Sequence, residues 1–196
     1  MKLILSRANR NDLRSIFARV PPAPAVQEVR AAVAYVANFT DFFNGCLGKK
    51  HRLTIWARHD GSVPVAPAAM RWFLDRRSPS YQLRLVNKHY HPKVIHWVGF
   101  GAYIGSANLT DSAWNHNYEA GVFLTEEELI DGGHMEELNE FFSDINGDSI
   151  EVTQEIYEAQ LQLEADLRAA AVKSKAISAA YGVPSATFLA FEFFAV

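Results

Sequence analysis

The sequence predicts an α/β domain, a mixed β-sheet sandwiched between helices with a C-terminal helical extension, and three observations carry that prediction. Up to residue 87, short β-branched runs alternate with helical periods in the order strand, helix, strand, helix, strand. Two further strand-like runs, KVIHWV and AYIGS, flank GFG, the turn signal of an antiparallel hairpin. From residue 150 an apolar stripe recurs at three- and four-residue steps, the period of a long helix. A chain of 196 residues can bury one real core, so residues 1–148 are expected as the domain and 149–196 as a helical extension with an apolar tail.

The elements follow in order. KLILS (2–6) reads as a short buried strand, and NDLRSIFARV (11–20) as a helix with Leu13, Ile16, Phe17 and Val20 on one face. VPPAPA breaks that helix, because proline cannot continue it. VRAAVAYVANF (29–39) is apolar and β-branched enough for a central strand, although its alanines leave helix open. Thr40 caps TDFF, which opens a helix ending near Gly45 or Gly48. RLTIWAR (52–58) alternates as a strand, DGSVP turns, and PAAMRWFLDRR (67–77) is an amphipathic helix stopped before Ser78-Pro79. YQLRLVN (81–87), KVIHWV (93–98), AYIGS (102–106) and NYEAGVFL (117–124) are four more strands, the last reached through the polar segment NLTDSAWNH. TEEELI and MEELNEFFSDI (135–145) are helical, and NGDS closes that unit. The final helix, 150–180, carries Val152, Ile156, Ala159, Leu163, Leu167 and Ala170 on one face.

With 49% apolar and 21% charged residues, the composition is that of a soluble globular protein and excludes a disordered one. No apolar run approaches the ~20 residues that span a bilayer, so no membrane partner is expected. MKLILSR has no long apolar region and no small-residue cleavage site, and reads as a first strand rather than a signal peptide. The single cysteine, Cys46, cannot form an intrachain disulfide, and the expected setting is reducing and cytoplasmic. The net charge of −3 hides a sharp division. Residues 1–93 hold sixteen Lys and Arg against five acids, a balance of +11, while residues 94–196 hold three against seventeen, a balance of −14. The basic half points to an anionic partner, unless folding sets the acidic half against it. The acidic final helix could cover that basic surface or mediate assembly.

The polar residues of 91–119 form a pattern of their own. His91 and Lys93 lie two apart, a strand period that places both side chains on one face. Ser106 and Asn108 share that spacing at the end of the next strand, and Asn117 and Glu119 at the start of a third. Three strand ends thus deliver imidazole, ammonium, hydroxyl, carboxamide and carboxylate to one place. For a phosphodiester that set has a mechanistic sense: the imidazole can attack phosphorus, Lys93 and Asn108 can neutralise the non-bridging oxygens, and Glu119 can fix the imidazole tautomer. Taken singly, each is an ordinary strand-end polar residue. Lys88 and Arg84, from the basic stretch, and Trp114 and Asn117, from the polar segment, are expected to contact substrate. His89, His91 and His96 could be read as a metal cluster, but no carboxylate or cysteine completes it, and His96 should face away from Lys93. No metal or other cofactor is expected.

The string H-x-K, followed by G-S-x-N with the serine fifteen positions after the histidine and a glutamate eleven beyond the asparagine, resembles the signature of the phospholipase D superfamily. More narrowly, YHPK with IGSANLT and NYEAGV resembles the branch containing bacterial non-specific nucleases and metal-independent restriction endonucleases. VRAAVAYV and LTIWAR fit that domain, so the likeness covers roughly residues 1–145. It implies His91 as a nucleophile forming a phosphohistidine, Lys93 and Asn108 as phosphate ligands, Ser106 as a supporting or phosphate hydrogen-bond partner, and Glu119 as the residue orienting His91. One position departs: the motif's aspartate, five residues after the lysine, is Val98 here. Such enzymes use two histidines, one to attack and one to protonate the leaving oxygen. With no internal repeat, the resemblance implies a homodimer whose two His91 residues face each other across a two-fold axis.

The expected function is metal-independent cleavage of nucleic acid, DNA in the first instance. Two alternatives stay open: a phospholipid hydrolase or transphosphatidylase using the same site, and a catalytically impaired nucleic-acid-binding subunit of a restriction or defence system.

Overall fold

The computed structural model describes residues 1–6, 15–16, 18–37, 49–76, 78–87 and 89–181, the last five of these for backbone alone. The helix expected after Thr40 and the apolar tail lie outside the described residues. Of the helix expected over 11–20, Ser15, Ile16, Ala18 and Arg19 are helical, and Ile16 is fully buried.

Eight strands form one mixed sheet: β1 (Lys2–Ser6), β2 (Glu28–Val33), β3 (Arg52–His59), β4 (Tyr81–Asn87), β5 (Lys93–Trp97), β6 (Gly101–Gly105), β7 (Glu119–Thr125) and β8 (Ser149–Glu151), in the spatial order β1-β7-β6-β5-β2-β3-β4-β8. Five helices are seen among the described residues: α1 (Pro67–Arg76), α2 (Asp111–Asn115), α3 (Glu126–Asp131), α4 (His134–Gly147) and α5 (Gln154–Tyr181). The strands β2, β3 and β4 are parallel and all other pairings antiparallel, so the βαβ half and the hairpin half meet at the β2–β5 pair.

Alternation sorts the strand residues onto two faces. Val29, Ala31, Val33, Leu53, Ile55, Leu83, Leu85, Ile95, Trp97 and Tyr103 build the larger core with Met70 and Phe73 of α1 and Val152. Ala32, Trp56, Val86 and Ala102 face the other way, onto Leu129 of α3 and Leu138 and Phe142 of α4. Helix α3 starts where Thr125 and Glu128 form a reciprocal capping box. His96, buried and 3.2 Å from the Glu126 carboxylate, is on this second face, opposite Lys93.

Three boundaries differ from the sequence pattern. The strand expected over 29–39 ends at Val33, because Tyr35 leaves the ladder to bond Asn108, and Val36 bridges Val65 and Leu109. The sheet continues past residue 148: Ser149–Glu151 pair antiparallel with β4, and the final helix starts at Gln154 rather than 150. A three-residue strand with one apolar residue gives no period to read. Helix α5 is tied to the body early in its course, where Gln160, buried, donates to the Val65 carbonyl at 3.2 Å.

Candidate active site

The register of the sheet brings one end of each central strand to a common edge. Val33 at the end of β2 stands opposite Lys93 at the start of β5, Val94 opposite Ile104, and Gly105 at the end of β6 opposite Gly121. Beyond those ends a cleft of about 610 Å³ opens, lined by Tyr35, His91, Lys93, Ser106, Asn108 and Asn117, among others. Its position outside the carboxyl ends of parallel strands, where the sheet changes direction, is where open α/β sheets bind ligands.

His91, one residue short of β5, is exposed, whereas Lys93, 8% exposed, anchors the strand. The Lys93 ammonium donates to the His91 carbonyl oxygen at 3.0 Å and lies 2.6 Å from Nδ1 and 3.2 Å from Nε2 of the same ring. Loss of water around the ring, reinforced by the positive charges of Lys93 and Arg58, holds His91 below the ordinary imidazole range. Burial also pushes the Lys93 ammonium down, while the Glu119 carboxylate pulls it back up and Arg58 adds to the lowering.

Asn108 is oriented by its surroundings. Its Oδ1 accepts from the Tyr35 backbone N–H at 3.2 Å, and the residue lines the cleft with the two donors of Nδ2 as its other polar group. Its backbone carbonyl accepts from the Trp114 indole at 2.7 Å. Trp114 therefore braces the asparagine loop, and is not among the residues lining the cleft. Ser106 accepts from the Ala120 backbone N–H at 3.0 Å and donates to Glu119. The glycine of G-S-x-N has a local cause: the Tyr103 ring lies across Gly105 and Gly121, where any Cβ would collide with it.

Of the residues expected at the site, His91, Lys93, Ser106, Asn108 and Asn117 come together. Glu119 stands beside them in a different role. Its oxygens take the Ser106 hydroxyl and, at 3.3 Å, the Asn117 amide, so within one chain it is not the group on the His91 ring. Arg84 is elsewhere: it donates to the Ser149 hydroxyl at 2.7 Å and carbonyl at 3.1 Å, three places along the sheet from β5, and fastens β8. Lys88 lies outside the described residues. Val98 is at the far end of β5 from Lys93, roughly 16 Å away at strand rise, and its N–H bonds the Glu28 carbonyl. The aspartate absent there therefore removes no group from the cleft.

Tyr35 and Arg58 were not singled out by any motif. The Tyr35 ring meets His91 edge-on, centroids 6.1 Å apart, and Arg58 Nη1 donates to the Tyr35 hydroxyl at 3.4 Å. Arg58 ends the strand expected over 52–58, but Tyr35 falls inside the one expected over 29–39, so the sequence carried little signal for either. Among the described residues no group of three His, Cys, Asp or Glu could hold a metal ion, and no helix is long and apolar enough to cross a membrane.

Residues 61–144 match the family described as cardiolipin synthase, PLD-like domain. Among solved structures, NucT from Helicobacter pylori is 16% identical with a TM-score of 0.58, over 77% of this chain and 98% of that one. Nuc from Salmonella typhimurium, a phospholipase D family member, is 19% identical with a TM-score of 0.59, over 78% of this chain and 97% of that one. The phosphatidylserine synthase of Haemophilus influenzae is 16% identical with a TM-score of 0.59, over 88% of this chain and 46% of that one. At such identities the likeness is one of fold. No curated protein matches the sequence.

Proposed function

We propose, from the premise that this chain carries a phospholipase D-like domain of phosphodiesterase fold, that it cleaves nucleic acid, DNA in the first instance, without a metal and as a cytoplasmic homodimer. The observation that carries the reading is the convergence of His91, Lys93, Ser106 and Asn108 on one open cleft. The His91 imidazole attacks phosphorus, and a P–N bond forms as the P–O bond to the leaving strand breaks. Lys93 and Asn108 Nδ2 hold the non-bridging oxygens, where charge builds up. The leaving oxygen takes a proton from His91 of a second copy. That second imidazole then removes a proton from water, whose oxygen displaces the first from phosphorus. The orienting role expected of Glu119 is not met within one chain, where its oxygens take the Ser106 hydroxyl and the Asn117 amide.

A partner copy is supported by a sheet face that the described residues leave exposed. Leu3 and Leu5 on β1, 60% and 68% exposed, stand with Ile104, 39%, on the side of the sheet that α3 and α4 cover only further along. Tyr118, 79% exposed, precedes β7 at the edge that carries the cleft. Apolar surface of this kind marks a contact site. The basic first half of the chain supports a polyanionic substrate.

The same apolar face favours a second reading, a phospholipid phosphodiester as substrate. One experiment separates them: DNA, RNA and a phosphatidyl substrate are each incubated in excess chelator with the wild type and with His91→Ala. Nucleic-acid cleavage that survives chelator and is lost in His91→Ala is the expected result. Cleavage of the phosphatidyl substrate alone moves the assignment to the lipid. Chelator-sensitive turnover, or turnover without His91, removes the mechanism.

A further inference from the structure

We propose that Tyr35 and Arg58 are positioning residues that hold the nucleophile and the phosphate donor in one fixed relation, an inference that rests on the phosphodiesterase reading of the cleft. Tyr35 touches both groups. Its ring stands edge-on to His91, 6.1 Å between centroids at 83°, and its backbone N–H fixes Asn108 Oδ1 at 3.2 Å. Leu109 N–H bonds the Tyr35 carbonyl at 3.1 Å, so the asparagine loop is tied to this residue on both sides.

The ring is held in turn. The Arg58 guanidinium lies 6.0 Å from the Tyr35 centroid and donates to its hydroxyl at 3.4 Å. Arg58 is fixed by an ion pair with Asp60, whose other oxygen takes the Ser62 N–H at 2.8 Å and hydroxyl at 2.5 Å. The chain Ser62, Asp60, Arg58, Tyr35 thus runs from the loop after β3 to both reacting groups. Misplacement by about 1 Å costs on the order of 100-fold in rate, so a brace of this kind is worth building.

Charge adds a second effect of Arg58. The charged groups facing the His91 ring are Lys93 from β5 and Arg58 from β3, with Asp60 paired to Arg58 and Glu119, at the start of β7, acting on Lys93. Taking away the guanidinium leaves one cation fewer against an imidazolium.

The test uses full-length Tyr35→Leu, Tyr35→Phe, Arg58→Met and Arg58→Lys, each first compared with the wild type by circular dichroism. Single-stranded DNA cleavage in chelator is measured from pH 5 to 8.5, and the His91 ring protons are titrated by NMR without substrate. Tyr35→Leu is expected to lower kcat by roughly 10- to 100-fold with KM within about threefold, and Tyr35→Phe, which keeps the ring, by less. Arg58→Met should move the His91 midpoint upward, toward the ordinary imidazole value, and Arg58→Lys should restore it while recovering only part of kcat. Unchanged kcat in a folded Tyr35→Leu, or an unmoved midpoint in Arg58→Met, overturns the proposal. Absence of wild-type cleavage instead removes the phosphodiesterase reading, and the NMR titration then decides the Arg58 arm alone.

Discussion

The Lys93 side-chain nitrogen lies 2.6 Å from His91 Nδ1, and with the lysine charged that contact favours a lone pair on the ring nitrogen and so a neutral ring. A protonated imidazole carries hydrogen on both nitrogens and would meet the ammonium as a second cation. On the proposed mechanism, these are the states that a nucleophile and its phosphate clamp need.

The pH dependence follows with a definite sign. Partial burial, Lys93 and Arg58 all disfavour the imidazolium, so His91 titrates below its ordinary value of about 6.5. One His91 of the pair must be neutral to attack and the other protonated to release the leaving oxygen, so kcat/KM in the free enzyme should rise as pH falls through 6.5, peak near the lowered His91 titration and drop at more acid pH. A pH profile of kcat/KM in chelator checks this. An acid limb centred at or above 6.5 would contradict it.

Removing either phosphate ligand should act on the chemical step. Lys93→Met and Asn108→Ala are each expected to lower kcat by about 10²- to 10³-fold, the range for losing one preorganised donor to a developing charge. Rapid-quench single-turnover kinetics separates that loss from weaker binding.

Restoring the motif's aspartate should gain nothing. Val98 sits at the other end of β5 from Lys93, so Val98→Asp is expected to leave kcat within about twofold and, being half-buried, to lower stability by about 1 kcal/mol. Cleavage rates and a denaturant melt report the two effects.

The exposed face of β1 should govern assembly. Leu5→Glu, at a side chain 68% exposed, is expected to change unfolding free energy by no more than about 0.5 kcal/mol while converting a dimer to a monomer with loss of cleavage. Sedimentation equilibrium gives the mass. A monomeric wild type, or a dimeric and active Leu5→Glu, would remove this face from the interface.

Arg84 should behave as a fastener. Arg84→Met leaves the Ser149 hydroxyl and carbonyl without their donors, for an expected loss of about 1–3 kcal/mol in stability and no change in kcat. Thermal melts beside the cleavage assay distinguish this from substrate contact.

What the sequence revealed of the site is what short-range geometry determines. His91 with Lys93, and Ser106 with Asn108, are related by one hairpin whose register follows from alternation and the GFG turn. The βαβ rhythm and the helices over 67–76 and 134–147 were legible for the same reason, each being a strong local period. Tyr35 and Arg58 reach the cleft through parallel pairings of strands far apart in sequence, which no local period encodes. Arg84 was misplaced because a count of charges does not say on which strand of the sheet a cation lands. The role of Glu119 depends on which hydrogen-bond donors lie nearest, and the Ser106 hydroxyl and Asn117 amide reach it before His91 does.

The pairing of β1 with β7 has a consequence for how the protein is made. Ser6 stands opposite Glu119, so β1 leaves the ribosome before its partner, which follows only when the strand bearing Glu119 is made. At 5–20 residues per second that interval is on the order of ten seconds. A nascent chain therefore carries an unpaired apolar strand and no finished cleft until synthesis has passed the last residue of the site.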